Sequence, residues 1–229
     1  MEVIERSEAL ASSKAESILA AAKRAFLAAG FTAVSMDAIA REAGVSKATV
    51  YAHFAGKEEL FGAVIGRECE RYFARVAGNE LDPLDVRASL TVLGTRFLDL
   101  VLSPDGIALH RIILAEVTRL PALGEVFWRA GPERQRLQIE AFLRSATAAG
   151  TLALSDTRLA AEQFVSLVRS DIQLRHLLRL EQHDAEQAVS SAVEAAVATF
   201  MRAFASWKAP SPQPSPCELG KGRNYDAGG

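Results

Sequence analysis

The sequence predicts an all-α protein, with an N-terminal three-helix domain that carries a helix-turn-helix and a C-terminal domain that is helical throughout. Three observations predict it. Apolar residues recur at helical spacing along most of the chain, and the strict alternation of a half-buried strand is essentially absent. Capping residues, glycines and prolines bracket the periodic segments at the points where helices must start and stop. Residues 35–57, SMDAIAREAGVSKATVYAHFAGK, read as two short helices joined by a tight glycine-containing turn.

Residues 1–12 are expected to be a flexible arm. Ser13-Lys-Ala-Glu16 is a capping box opening the first helix, which gathers Ile18, Ala22, Ala25, Phe26 and Ala29 on one face and ends at Gly30. Ser35 caps the second helix, Asp37 complements the positive end of its dipole, and Gly44 can take the left-handed conformation that closes it. Ser46 caps a third helix running through Phe54. Ile39, Ala40, Ala43, Val45, Val50 and Phe54 are the apolar set that can hold the pair together. A fourth helix from Glu58 to about Ala77 carries Leu60, Phe61, Val64, Ile65, Cys69, Tyr72 and Phe73 on one broad face. The first domain is therefore 13–77, with its helix-turn-helix at 36–55. Gly78-Asn79-Glu80-Leu81-Asp82-Pro83 breaks the pattern and reads as the hinge, so the fourth helix bridges head and body. The body, 78–206, reads as helices over roughly 84–102, 106–119, 121–149, 156–180 and 184–206, with Gly131-Pro132 interrupting the third of them. Four prolines between Pro210 and Pro216, followed by glycines, mark 207–229 as a disordered tail.

The third helix is built to be met from outside. Val50 and Phe54 lie one turn apart and point inward, leaving Ala48 and Ala52 on the opposite face, flanked by Thr49 and Tyr51. Small residues let such a helix sink into a groove, and the Ala48 methyl can touch a thymine methyl. Lys47 projects from the free N-terminal end, where recognition helices meet base edges. Tyr51, His53 and Lys57 offer hydroxyl, imidazole and ammonium donors suited to phosphate oxygens. Arg41 and Lys23 are expected on solvated faces.

The run from Ile18 to Phe61 resembles the DNA-binding domain of the tetracycline-repressor (TetR) family of one-component regulators. The resemblance rests on AxxxFxxxGF at Ala22, Phe26, Gly30 and Phe31, then on the helix-turn-helix, then on VSKATVYAHF and GKEELF. Carried over position by position, it implies a DNA-binding set of Ser35, Ser46, Lys47, Ala48, Thr49, Tyr51, His53 and Lys57. Met36 and Asp37 match contacting positions too, but depart from the polar or basic groups common there, and no major contact is expected of either. A weaker likeness to the AefR-like C-terminal domain attaches to SLVRSDIQLRHLL in the helix from Asp156. The resemblance implies a cytoplasmic, homodimeric repressor that binds a palindromic operator in double-stranded DNA and is released by a small-molecule effector. It implies no cofactor and no catalysis.

Composition is compatible with that reading. The chain has 229 residues, 49% apolar and 24% charged, with a net charge of −2. Residues 23–57 carry five cations against two acids, leaving +3 on the head and −5 on the rest, which orients the head at a polyanion. Cys69 and Cys217 lie far apart and suggest no structural disulfide. His53, His110, His176 and His183 form no ligand spacing with them, so no metal site is expected. No secretory signal opens the chain, and no run of about 18 uninterrupted apolar residues suggests a membrane span.

In the body, Ala188, Val189, Ala192, Val193, Ala196, Phe200 and Phe204 form a stripe whose small residues allow close helix approach. It can be buried within its own subunit; the family resemblance implies instead that the last two helices pair with their copies in a four-helix dimer interface. The resemblance also implies a ligand pocket among the middle helices, for which Phe97, His110, Phe127, Trp128 and Phe142 are candidates, each equally readable as ordinary core or surface. Asp171 and Arg175 stand four apart and can pair on one face. The default role of Arg169, Asp171 and Arg175 is a salt-bridged interface helix, with ligand contact as the alternative. Two rival functions remain: a helical ligand-binding or adaptor protein without DNA binding, and an enzyme using a pocket carboxylate such as Asp171 or Glu116.

Overall fold

The computed structural model describes residues 2–73, 81–180 and 185–206. The first helix, α1, spans Glu2–Ala33 and bends at Gly30, where φ is 78° and ψ 175°. It therefore starts well before the Ser13 capping box, and the expected arm is helical from Glu2. The physical reason is local: residues 2–12 hold no glycine or proline, are rich in good helix formers, and place glutamates near the positive helix end.

The head closes as its caps require. In α2 (Met36–Ala43) Ser35 Oγ accepts the Ala38 N–H at 3.2 Å, and Gly44 ends the helix at φ 68°, a conformation that is cheap for glycine and strained for a residue with a Cβ. In α3 (Lys47–His53) Ser46 Oγ accepts the Thr49 N–H at 3.1 Å. Phe26 and Phe31 stack with ring centroids 5.7 Å apart, and both meet Phe61 of α4 (Lys57–Phe73) edge-on. Ile39, Ala40, Val50 and Phe54 bury against this aromatic centre, while Ala43 and Val45 pack at its rim.

The body consists of α5 (Val86–Leu102), α6 (Pro104–Glu116), α7 (Pro121–Ala130), α8 (Pro132–Ala148), α9 (Thr157–Arg169), α10 (Ile172–Leu177) and α11 (Ala185–Phe204). Its core sets Leu90, Leu93 and Phe97 of α5 against Phe164 and Val168 of α9 and Val193 and Phe200 of α11. Pro104, Pro121 and Pro132 each open a helix, where the missing N–H costs nothing. The predicted 156–180 helix divides. Ser170 (φ 46°, ψ −140°) breaks it, and Ile172 and Gln173 turn inward toward α5 and α6. No glycine or proline marks the break, so apolar periodicity reads straight through it. An isolated antiparallel bridge between Leu152 and Ala205 pins the end of α11 to the α8–α9 loop.

Apolar packing continues from head to body through α4, which lies against α1 on one side and α7 on the other. The expected bridging role of α4 is met over its described length. The predicted hinge at 78–83 lies partly outside the described residues, and the predicted tail at 207–229 wholly outside.

The α5–α6 corner admits no side chain at Gly106, since a Cβ there would stand 2.2 Å from the Leu100 carbonyl oxygen and 2.9 Å from Ser103 Oγ. Gly106→Ala should lower stability by about 1–3 kcal/mol in urea unfolding. Gly56→Ala, whose Cβ meets only Glu58 Oε2 at 3.5 Å, should stay within about 0.5 kcal/mol of the parent.

Candidate nucleic-acid interface and cavity

The α2–α3 unit presents the outer face that the sequence describes. Lys47, Ala48, Tyr51 and Ala52 are exposed, Thr49 and His53 are half-buried, and Val50 is fully buried. Tyr51 keeps 46% of its surface in solvent, a large exposure for an aromatic ring on a seven-residue helix. Ser35 and Ser46 are exposed caps, and Ser46 Oγ also shares a 2.8 Å hydrogen bond with Thr49 Oγ1. Met36 is buried in the head core, which removes it from any surface role.

Lys47 is not idle. Its Nζ lies 2.8 Å from Asp37 Oδ1 and 5.9 Å from the centroid of the Tyr51 ring. The hydrogen bond and charge of Asp37 raise the lysine pKa. Both side chains are about 60% exposed, so the pair adds little stability and opens readily to a competing anion.

Lys57 is engaged within the head. Its Nζ donates to the carbonyl oxygens of Phe31 (2.9 Å), Thr32 (3.3 Å) and Val34 (2.9 Å), and lies 4.5 Å from the Phe31 ring centroid. An ammonium has three N–H donors, and here three carbonyls occupy them. Lys57 ties the start of α4 to the α1–α2 connection instead of offering a free cation. Lys23 also departs from expectation: it is no solvated residue but joins Glu68 of α4 at 2.7 Å and Asp105 of α6 at 2.6 Å. Arg41 is exposed as expected.

Beneath the head lies a cavity of about 50 Å³, open to solvent on one side and walled by α4 through α9. Its apolar lining comes from Ile65, Leu100, Val101, Leu109 and Phe127, and its polar groups from Glu68, His110, Gln135 and Arg169. Of the five predicted pocket residues, His110 and Phe127 line it, their rings edge-on at 5.0 Å. Phe97 and Phe142 are buried core outside the lining, and Trp128 is 54% exposed. Adjacent Phe127 and Trp128 sit about 100° apart on α7, so only one can face inward. Burial, reinforced by the Arg169 charge, lowers the His110 pKa and keeps the ring neutral at pH 7. Glu68, Cys69 and Gln135 were missed by sequence reasoning. Cys69 lay on the predicted apolar face of the fourth helix, but nothing marked the neighbouring Glu68 as buried.

Among the described residues, two polar ties join α1 of the head to α6 of the body beside this cavity. Lys23 is one. The other is Glu116 at the end of α6, which accepts the Thr32 hydroxyl at 2.7 Å and the Thr32 N–H at 3.3 Å. The Thr32 hydroxyl holds the Glu116 pKa below its ordinary value. Glu116 therefore faces the head and is not part of this cavity's lining. Asp171 pairs with Arg175 at 2.7 Å, both exposed, as the spacing predicted. Neither carboxylate is placed for catalysis on a cavity ligand. Among the described residues no helix is long and apolar enough to cross a membrane.

The comparisons with known proteins follow this division. A family model for bacterial regulatory proteins of the tetR family matches residues 18–64, and one for the C-terminal domain of AefR-like transcriptional repressors matches 88–206. The chain belongs to the TetR family. Within it, a solved structure of the flavonoid-responsive regulator FrrA is 36% identical, with a TM-score of 0.68 over 85% of this chain and 98% of that one. A TetR-family structure from Mesorhizobium loti superposes with a TM-score of 0.71 at 24% identity, covering 85% of this chain and 98% of its own. Among curated relatives, the transcriptional activator FasR of Mycolicibacterium smegmatis is 36% identical over 84 residues, 37% of this chain and 38% of that protein. The regulator UidR of Escherichia coli K12 is 43% identical over 58 residues, 25% of this chain and 30% of its own. The chain thus spans about a third of the length of these curated relatives. The TetR family and these relatives are transcriptional regulators, a non-enzymatic class, in agreement with the sequence expectation.

Because Lys57 satisfies three carbonyls of the TetR-type head, Lys57→Ala should reduce its stability by about 1–3 kcal/mol in chemical unfolding monitored by circular dichroism. Unchanged stability would show the three hydrogen bonds to be incidental.

Proposed function

We propose that this chain is a homodimeric, ligand-responsive transcriptional regulator. It acts as a repressor on a palindromic operator in cytoplasmic DNA and is released when a small molecule fills the cavity between α4 and α9. The observation that carries the proposal is the double use of α4: its first turns complete the core behind the exposed α3 face, and its later turns, at Ile65, Glu68 and Cys69, wall the cavity.

At the DNA, Lys47, Ala48 and Thr49 meet base edges, while Ser35, Ser46, Tyr51 and His53 meet phosphate and sugar oxygens. Lys57 acts at one remove by fixing the α1–α2 connection. Asp37 competes with the duplex for the Lys47 ammonium, so DNA binding opens that ion pair. The dimer forms through α9, α10 and α11. Leu159, Leu167, Leu174 and Leu178 stand exposed on α9 and α10, and a broad apolar groove runs between α9 and α11 past Phe200 and Phe204. A two-fold pair places its recognition helices in successive major grooves, roughly 34–36 Å apart.

Release requires an effector with higher affinity for a dimer whose heads no longer match that spacing. A ten- to hundredfold loss of operator affinity needs coupling of about 1.4–2.8 kcal/mol, an ordinary allosteric magnitude. The cavity floor includes Gly106 and His110 of α6, and α6 is tied to the head at Lys23 and Thr32. A ligand that displaces α6 therefore strains both ties. The name of FrrA supports a small-molecule effector, and the AefR-like description of the body supports repression.

Selection of bound sequences from random duplex DNA should return a two-fold symmetric site; no enrichment would overturn the proposal in favour of an adaptor without DNA binding. Asp37→Asn should strengthen binding to all duplexes, most at low salt, since it removes a carboxylate that faces the polyanion. Leu167→Glu should leave the fold intact but yield monomers in sedimentation analysis and weaken operator affinity at least about tenfold.

A further inference from the structure

Among the described residues, the cavity lining includes one cation with no ionic partner, Arg169. Nor has it a hydrogen-bonded acceptor among them; its guanidinium lies 5.5 Å from the Phe97 ring centroid and lines the cavity mouth. Arg169 is an exposed residue overall, and partial burial of its side chain against the cavity wall lowers its pKa. Nearby carboxylates are committed elsewhere. Glu68, on the cavity wall, is held by Lys23 at 2.7 Å and Arg71 at 3.6 Å, and Asp171 by Arg175. His110, neutral and edge-on to Phe127, stands in the same lining and feels the Arg169 charge. The rest of the lining is mainly apolar and opens to solvent on one side.

We infer that the effector of this cavity is an amphipathic monocarboxylate, whose acid group pairs with Arg169 and whose hydrocarbon or aromatic body lies between Ile65, Leu100, Leu109 and Phe127. A planar guanidinium takes a carboxylate through two parallel N–H donors, and the neutral imidazole of His110 supplies one further hydrogen bond from the same lining. A single unpaired cation matches a single negative charge. A phosphate dianion would leave charge uncompensated on a wall that already carries Glu68. This inference rests on the regulatory reading only in calling the ligand an effector; the site itself stands on the cavity and its arginine.

The test uses the full chain and matched probes: octanoate against octanamide, and 4-phenylbutyrate against 4-phenylbutyramide. Binding is read by thermal unfolding and titration, and release from the selected operator is read separately. At least one acid should raise Tm and bind at least about tenfold more tightly than its amide. Arg169→Gln should abolish that preference, and Arg169→Lys, which keeps the charge but loses the fork, should retain part of it. Equal binding of acid and amide to the wild type overturns the inference without recourse to any variant. So does failure of both acids to bind, or a preference that survives in a folded Arg169→Gln protein. Release of operator by a neutral compound alone would overturn the inference and leave the regulatory reading standing. Arg169-dependent acid binding that leaves operator affinity unchanged would uphold the site and overturn ligand-driven release.

Discussion

Head, bridging helix and body meet at the Lys23 ammonium. It lies between Glu68 and Asp105, and so ties a helix of the head, the bridging helix and a helix of the body at one point. Glu68 is only 7% exposed, and a carboxylate so buried costs several kcal/mol unless a cation reaches it. Burial works against the lysine charge as well, but the hydrogen bonds that Lys23 donates to Asp105 and Glu68, with their charges, outweigh it and raise the pKa. The sign follows: a raised lysine pKa gives stability that is fully present at neutral pH and is lost only as pH climbs through the folded-state value. Parting α1 from α4 takes Lys23 from Glu68, and parting α6 takes it from Asp105, so each separation breaks an ion pair. Apolar packing along α4 supplies area, and the polar point supplies registry.

That constraint explains how one helix serves two surfaces. The N-terminal end of α4 is fixed by the Lys57 ammonium on three carbonyls, which also sets the connection leading into α2 and hence the attitude of α3. Two to three turns further along, the same helix walls the cavity. The outer face of α3 needs only to be small, polar and rigidly backed, and the Phe26, Phe31 and Phe61 cluster provides the backing. Asp37 belongs to this economy as a weak, exposed partner for Lys47 that yields to phosphate at low cost. The body differs in kind. Its outer leucines on α9 and α10 are exposed in the single chain, while its inner face carries a cavity with an arginine and an unpaired charge.

Much of this was legible in the sequence, and unevenly so. The all-α class, the two short helices with their Ser35 and Ser46 caps, the Gly44 stop and the proline helix starts all follow from local chemistry that acts within a few residues, and the structure has them. The start of α1 was misjudged because a capping box is equally a stretch of good helix formers when more of them precede it. The division at Ser170 left no signature, since helical periodicity resumes immediately after it. Side-chain roles decided by distant partners were the least readable. Lys57 is identical in sequence terms whether it meets a phosphate or three carbonyls, and Lys23 finds partners 45 and 82 positions away. Pocket lining suffered the same way: aromatic size selected Phe97 and Trp128, whereas packing angle selected Phe127, and Glu68 and Arg169 were placed by contacts that no local pattern encodes.

The claim at the centre of this account is that the body helix α6 helps to hold the head through a charged contact, so that events in the body are felt at the recognition helix. Amide hydrogen exchange on Asp105→Asn, a near-isosteric change confined to the body, tests it most directly. The account predicts faster exchange in α1 and in the α2–α3 unit, although no atom of the head has been altered. Exchange that changes only in the first turn of α6 would contradict it.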